Sequence, residues 1–187
     1  CQLSVPASSK KMIEKAASIK VDGVILDLED SVSPDQKESA RHQIKDGLTQ
    51  LEWKASSISV RINATNTEWC HQDIIELVSS CSEKIATLIV PMVNTPNDLL
   101  FVETLIKQLT IKNSSAAEIG IEGLIETVEG LSNVDKIAQS SEKLEALVLG
   151  MGDYAASQRM RINTIGDVSS EAGDIWQYPR YRPVSYT

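Results

Sequence analysis

Six ionisable side chains stand at or just after the ends of apolar runs, where a parallel α/β fold would gather them. These residues are Asp27, Glu29, Asp30, Arg61, Glu126 and Asp153. Carboxylates that share a confined space raise one another's pKa, and a divalent cation removes that repulsion. Oxygen ligands favour a hard ion, and two carboxylates with water and a chelating substrate suit Mg²⁺. The acidic residues therefore predict a magnesium site.

The basic residue of this group, Arg61, lies in the segment SVRIN. A guanidinium binds a carboxylate through two parallel hydrogen bonds, so Arg61 is predicted to bind the carboxylate of a substrate. A magnesium ion together with an arginine is well suited to stabilise an enolate. The alternative for Arg61 is a structural ion pair with Glu29 or Asp30.

Short β-branched runs alternate with amphipathic segments along the chain, which predicts six βα units. The predicted strands are residues 3–5, 24–28, 58–62, 87–90, 119–125 and 144–149. The main predicted helices are 9–20, 33–52, 73–80, 131–140 and one that begins at Thr95-Pro96. Ser33, Pro34 and Gln36 match a capping box with proline at the first helical position.

This alternation predicts a parallel sheet with helices outside, either a doubly wound sheet or a (β/α)8 barrel. The first strand is followed by no glycine-rich phosphate-binding fingerprint, which disfavours the doubly wound alternative. In both folds the carboxyl ends of the strands meet on one face. The ionisable residues are therefore expected to share one pocket.

The composition narrows the class of partner. The 187 residues carry a net charge of -8, which argues against nucleic acid as the main partner. No apolar run approaches the roughly 20 residues of a membrane helix, so no membrane partner is expected. The start shows no signal peptide, and an odd count of 3 cysteines favours a reducing compartment. A cytoplasmic location is predicted, or the mitochondrial matrix if the source is eukaryotic.

Five segments resemble the citrate lyase β-subunit-like (HpcH/HpaI aldolase) family. They read LSVPASSKKMIEKA, VDGVILDLEDSVSPDQKESAR, SVRIN, GLIETVEGLSNVDKIA and ALVLGMGDYAAS. The resemblance implies a TIM barrel that binds Mg²⁺ and makes or breaks a carbon–carbon bond next to a carbonyl. It implies Glu126 and Asp153 as the metal ligands and Arg61 as the contact to substrate carboxylate and enolate. Glu29 and Asp30 would be acids that hold water near the metal.

Two departures from the family pattern bear on substrate and completeness. Many lyase-like members carry Pro-Lys-Val-Glu where this chain has Pro91-Met92-Val93-Asn94, a form similar to the pyruvate-aldolase branch. That branch usually has a histidine where this chain has Ser31 or Val32. Family members also continue into two further strands. Residues 1–187 are therefore expected to form one TIM-barrel lyase domain, truncated after about six βα units.

The predicted activity is that of a Mg²⁺-dependent carbon–carbon lyase acting on a short β-hydroxyacyl-CoA of the malyl, citramalyl or citryl type. One alternative is a class II pyruvate aldolase that acts on a free hydroxy-oxo acid. The other is a catalytically inactive, truncated subunit that only associates with partners. The predicted catalytic residues are Arg61, Glu29 and Asp30, with an oxo acid or hydroxyacyl-CoA as ligand and a homo-oligomer as the assembly.

Overall fold

The computed structural model describes residues 1–113, 118–161 and 174–184. Residues 114–117, 162–173 and 185–187 of the predicted domain lie outside these ranges. The strands are β1 (Gln2–Pro6), β2 (Gly23–Asp27), β3 (Ser57–Arg61), β4 (Thr87–Val90), β5 (Gly120–Ile125) and β6 (Leu144–Leu149). The helices are α1 (Lys10–Ala17), α2 (Lys37–Gln50), α3 (Cys70–Cys81), α4 (Pro96–Asn113), α5 (Val128–Ser132), α6 (Val134–Ala138), α7 (Met151–Ser157) and α8 (Gln177–Val184).

The strands form one parallel sheet in the order β1-β2-β3-β4-β5-β6. A doubly wound sheet reverses its strand order, whereas a (β/α)8 barrel adds strands in chain order. The sheet therefore corresponds to six consecutive units of a barrel, and β1 and β6 are its edges in the part of the chain described. Asp27 and Arg61, the last residues of β2 and β3, are register partners.

The hydrophobic core lies between the sheet and its helices. Side chains alternate along a strand, so one face of each strand packs against the helices and the other faces the barrel interior. The largest fully buried aliphatic side chains are Ile13, Leu26, Leu28, Ile44, Leu48, Ile62, Ile74, Leu77, Leu88, Leu99 and Ile106. Each contributes about 1.5–3 kcal/mol by leaving water. This packing fixes the strand ends that carry the ionisable residues.

The predicted strands match the observed ones closely, and two helix predictions are wrong in detail. The Ser33 side chain makes no capping bond, because Pro34–Gln36 form a 3₁₀ turn and α2 begins only at Lys37. The predicted helix 131–140 is instead α5 and α6. The break falls at Asn133, whose side chain donates to the carbonyl oxygen of Asn94 at 2.9 Å.

Within the described residues, every helix is too short or too polar to cross a membrane.

Candidate metal and substrate site

The predicted site residues lie at the carboxyl ends of four strands. Arg61 ends β3, and Glu29 and Asp30 lie in the loop after β2. Glu126 directly follows β5, and Asp153 lies in the first turn of α7, three residues after Gly150. The charges of Asp153, Arg61 and Asp30 all act on the pKa of Glu126. The structure therefore brings the whole predicted set together on one rim of the sheet.

Arg61 is the centre of an ion-pair cluster on the β2–β3 side of this rim. Its Nε and Nη2 atoms donate to the two carboxylate oxygens of Asp27, each at 2.7 Å. Its Nη1 atom lies 2.9 Å from Glu29 Oε2 and 3.5 Å from Asp30 Oδ2. The ion pairs given as the alternative for Arg61 are thus present. Because Nε and Nη2 bind Asp27, a substrate carboxylate would reach the guanidinium at Nη1, in exchange for the contacts with Glu29 and Asp30.

Asp27 is the site residue that sequence reasoning left unassigned. Its side chain is 1% exposed and also accepts hydrogen bonds from the backbone N–H groups of Glu29 (2.9 Å) and Ser31 (3.3 Å). Burial raises the pKa of Asp27, but the hydrogen bonds from Arg61, Ser31 and Glu29 together with the charge of Arg61 outweigh burial, and the pKa falls below its usual value. The same pairing raises the pKa of Arg61 against the effect of burial. Asp27 thereby fixes both the guanidinium and the start of the loop.

Lys37 binds the backbone of the same loop. Its buried ammonium group donates to the carbonyl oxygens of Leu28 (2.7 Å) and Glu29 (2.8 Å) and lies 5.3 Å from the centre of the Trp69 ring. Burial lowers the pKa of Lys37. The helix that begins at this lysine therefore shapes the backbone that carries Glu29. Sequence analysis did not predict this role, because a lysine in the first turn of a helix has no distinctive pattern.

The loop after β3 is held by a second buried ion pair. Asp73, fully buried on α3, accepts hydrogen bonds from the backbone N–H (3.0 Å) and side-chain amide (2.6 Å) of Asn63. Arg41 on α2 lies 3.1 Å from the other oxygen of Asp73. Two helices thus fix the backbone immediately after Arg61.

Glu29 has the protonation behaviour expected of an acid–base group. Burial raises the pKa of its carboxyl to about 7, the charges of Asp30 and Glu126 act in the same direction, and Arg61 opposes them. A general acid or base works best when its pKa lies near the working pH. Glu29 can therefore either hold or release a proton near neutral pH.

On the β5–β6 side, the Glu126 side chain is buried and closely packed. Its side chain is 5% exposed, and Oε2 accepts a hydrogen bond from the backbone N–H of Met92 at 2.9 Å. A Cβ atom at Gly150 would lie 2.5 Å from Oε1, so only glycine leaves room for this carboxylate. Burial raises the pKa of Glu126, and the neighbouring charge of Asp153 raises it further. Asp153 itself is exposed.

These two carboxylates fit a magnesium ion. Glu126 is buried, the negative charge of Asp153 also raises its pKa, and a cation would relieve both effects. No cluster of three or more metal-ligating His, Cys, Asp or Glu side chains occurs among residues 1–113, 118–161 and 174–184. Mg²⁺ does not need such a cluster, because it commonly takes one or two carboxylates and keeps several waters or substrate oxygens.

The histidines and buried cysteines of the chain lie on helices and take part in none of the ion pairs of the rim. His42 and His71 are exposed on α2 and α3. Cys70 and Cys81 are buried free thiols, and burial raises the pKa of Cys70 to about 12. A thiol with that pKa is protonated at neutral pH and is a poor nucleophile.

A sheet of sequential parallel βα units defines a barrel-type domain, and ionisable residues at the carboxyl rim are typical of the active-site face of such domains. The family model described as HpcH/HpaI aldolase/citrate lyase matches residues 2–169. The chain therefore belongs to the HpcH/HpaI aldolase/citrate lyase family, and the family predicted from its motifs is confirmed.

Two curated relatives illustrate the match. The L-malyl-CoA/beta-methylmalyl-CoA lyase of Rhodobacter capsulatus is 36% identical over 166 residues, which are 89% of this chain and 52% of that protein. The citrate lyase subunit beta of Escherichia coli is 29% identical over 160 residues, which are 84% of this chain and 51% of that protein. This chain spans about half the length of the curated relatives it matches. Both relatives are lyases or lyase subunits by name, which agrees with the predicted class.

Solved structures support the fold. The CitE protein of Mycobacterium tuberculosis, in complex with magnesium and acetoacetate, aligns with a TM-score of 0.74 at 24% identity. The alignment covers 99% of this chain and 67% of that protein. Malate synthase of Haloferax volcanii, as a lead(II) complex, aligns with a TM-score of 0.81 at 16% identity and covers 97% of this chain and 57% of that protein. The predicted α/β barrel-type fold class is confirmed.

Proposed function

We propose that this chain provides the catalytic rim of a Mg²⁺-dependent carbon–carbon lyase that acts on a short β-hydroxyacyl-CoA of the malyl, citramalyl or citryl type. The observation that carries the proposal is the juxtaposition of Glu126 and Asp153 with the Arg61 cluster on one rim. The relatives named as a malyl-CoA lyase and a citrate lyase subunit support the substrate class. An oxo acid or hydroxyacyl-CoA is the proposed ligand, and a homo-oligomer is the proposed assembly.

In this proposal Glu126 and Asp153 are the residues that would hold the ion. When bound, the ion would supply positive charge that stabilises the negative charge developing on the substrate. The Nη1 edge of Arg61 binds the substrate carboxylate, while Asp27 keeps the guanidinium plane fixed. Such preorganisation stabilises developing negative charge without reorganisation during the reaction.

Glu29 is the residue that we assign to proton transfer, directly or through a water that it shares with Asp30. In the cleavage direction it takes the proton of the substrate hydroxyl, and a carbonyl forms at that carbon. The carbon–carbon bond breaks, and its electron pair passes to the thioester half as an enolate. The proton that Glu29 or its shared water has taken then passes to the enolate carbon, which returns Glu29 to its starting state as an acyl-CoA and an oxo acid leave. A pKa of about 7 allows Glu29 to accept the first proton at neutral pH.

Calorimetric titration of the chain with pyruvate or oxaloacetate, with and without Mg²⁺, tests the proposal. We expect oxo-acid binding that requires Mg²⁺ and is lost in Glu126→Gln and in Asp153→Asn. Glu118→Gln is the matched control, because Glu118 is exposed just before the opposite end of β5. Binding that is unaffected by the two site variants, or no binding at all, would contradict the proposal and favour the inactive-subunit alternative.

A second test distinguishes a CoA-thioester substrate from a free acid. Acetyl-CoA binding to the native state should raise the thermal midpoint with increasing ligand concentration. The pyruvate-aldolase alternative would be favoured if the protein cleaves free hydroxy-oxo acids and acetyl-CoA gives no thermal shift.

A further inference from the structure

One backbone feature beside the proposed metal site has an unusual conformation. Met92, in the loop between β4 and α4, has a φ of 53°, and among the described non-glycine residues only Arg159 shares a positive value. Left-handed conformations cost a side chain free energy and persist where the surrounding structure enforces them. The Met92 N–H is the group that donates to Glu126 Oε2 at 2.9 Å.

The same loop is fixed to its neighbours on two sides. The Asn94 side-chain oxygen accepts a hydrogen bond from the Thr127 hydroxyl, and the Asn94 carbonyl oxygen accepts one from Asn133. The Asp98 carboxylate accepts hydrogen bonds from the backbone N–H groups of Asn94 (3.1 Å) and Thr95 (2.8 Å). The loop cannot relax around Met92 without breaking these bonds.

Close backbone packing adds a third constraint. A Cβ atom at Gly130 in α5 would lie 2.3 Å from the Val93 carbonyl oxygen. The Val93 N–H donates to the carbonyl oxygen of Leu124 in β5 at 3.0 Å. The residue after Met92 is therefore clamped between β5 and α5, which fixes the direction of the Met92 N–H.

From this geometry we infer that Met92 is a positioning residue: the clamped loop aims its left-handed backbone N–H at Glu126 and thereby orients that carboxylate for a divalent cation. The inference rests on the proposed function, because it takes Glu126 as a metal ligand. Groups that hydrogen-bond to a metal ligand fix its orientation, and their loss commonly weakens metal binding. Met92 acts here through its backbone, not its side chain.

Two substitutions of the same residue separate the backbone role from a side-chain role. Met92→Gly keeps the N–H and favours positive φ, whereas Met92→Val places a β-branched side chain where positive φ is strongly disfavoured. Affinity for Mn²⁺ alone, measured from the loss of the free-ion signal in electron paramagnetic resonance, gives a readout independent of turnover. We expect about tenfold weaker binding in Met92→Val, as found for outer contacts of metal ligands, and near wild-type binding in Met92→Gly.

The outcomes are distinguishable. Equal Mn²⁺ affinity in wild type and Met92→Val, or equal weakening in both variants, would overturn this inference and leave the proposed metal site standing. Failure of the wild-type chain to bind Mn²⁺ would overturn both. If Met92→Val does not fold by circular dichroism, Asn94→Ala decides the matter. Asn94→Ala removes the contact with Thr127 but leaves the backbone intact. It must weaken Mn²⁺ binding while the metal-free variant keeps a thermal midpoint close to that of the wild type.

Discussion

The most buried carboxylate on each side of the rim, Asp27 on one and Glu126 on the other, has an opposite electrostatic environment. On the β2–β3 side, Arg61 lies within 2.7 Å of both oxygens of buried Asp27, and the pKa of Asp27 is lowered. On the β5–β6 side, buried Glu126 lies near Asp153, and the pKa of Glu126 is raised. Asp27 is part of a completed ion pair, whereas the ionisation of Glu126 is opposed by the charge of a second carboxylate.

This difference assigns separate roles to the two sides. A buried charge that is fully paired and hydrogen-bonded holds a defined geometry, which suits a group that orients substrate. A buried carboxylate that is opposed by a like charge is destabilising unless a cation is present. The Asp27–Arg61 pair is therefore expected to contribute to folding, while the Glu126 carboxylate is expected to cost stability until a metal binds.

The largest effect is expected from removing the guanidinium. Arg61→Ala leaves Asp27 as a buried, uncompensated carboxylate, so the free energy of unfolding should fall by about 3 kcal/mol. Urea denaturation at neutral pH measures this. Lys45→Ala is the matched control, because Lys45 is part of a more exposed ion pair 3.9 Å from Glu76 and should cost less than about 1 kcal/mol.

A second substitution checks the cause. Adding Asp27→Asn to Arg61→Ala removes the stranded charge, so the double variant should recover part of the lost stability. A double variant that is less stable than Arg61→Ala would show that the negative charge of Asp27 is satisfied by its backbone hydrogen bonds alone.

The next effect is a pH dependence that comes from Glu29. Its pKa is about 7 in the folded state, above the ordinary value of 4.5. A raised pKa stabilises the folded state below pH 4.5, and this contribution is lost as the pH rises through 7. Between pH 5 and pH 8 the metal-free protein should lose about 2 kcal/mol after allowance for solvent screening.

Chemical denaturation across that pH range measures the slope. Glu29→Gln should flatten it, and any slope that remains would have the same sign, because the pKa values of Glu126 and Asp73 are also raised. Asp27 does not contribute in this window, because its lowered pKa keeps it ionised and its stabilisation is lost only in more acidic solution. An unchanged slope in Glu29→Gln would assign the pH dependence to other groups.

The smallest effect is a gain in stability. Glu126→Gln keeps an oxygen for the Met92 N–H and removes the like charge next to Asp153. In the absence of metal this variant should be more stable than wild type by about 1 kcal/mol, as is common when strain at an active site is relieved. Addition of Mg²⁺ should raise the thermal midpoint of the wild type and not that of the variant. A metal-free variant less stable than wild type would contradict the assignment of uncompensated charge.

The sequence predicted the strands well because each is a short β-branched run, and it predicted the shared rim because ionisable residues end those runs. The role of Asp27 was missed because its bond to Arg61 depends on strand register, which no local pattern encodes. The break at Asn133 was missed because the helical periodicity continues across it, while the contact with Asn94 is 39 residues away in the chain. The left-handed conformation of Met92 was also not predicted, because it is imposed by packing.

The most direct test of the central claim is the position of a divalent ion. Crystals of this chain grown or soaked with Mn²⁺ can be examined by anomalous diffraction. We predict one strong anomalous peak about 2 Å from a carboxylate oxygen of Glu126 and from one of Asp153. A peak at another part of the surface, or none between these two side chains at saturating Mn²⁺, would contradict the claim that the β5–β6 side of the rim is a metal site.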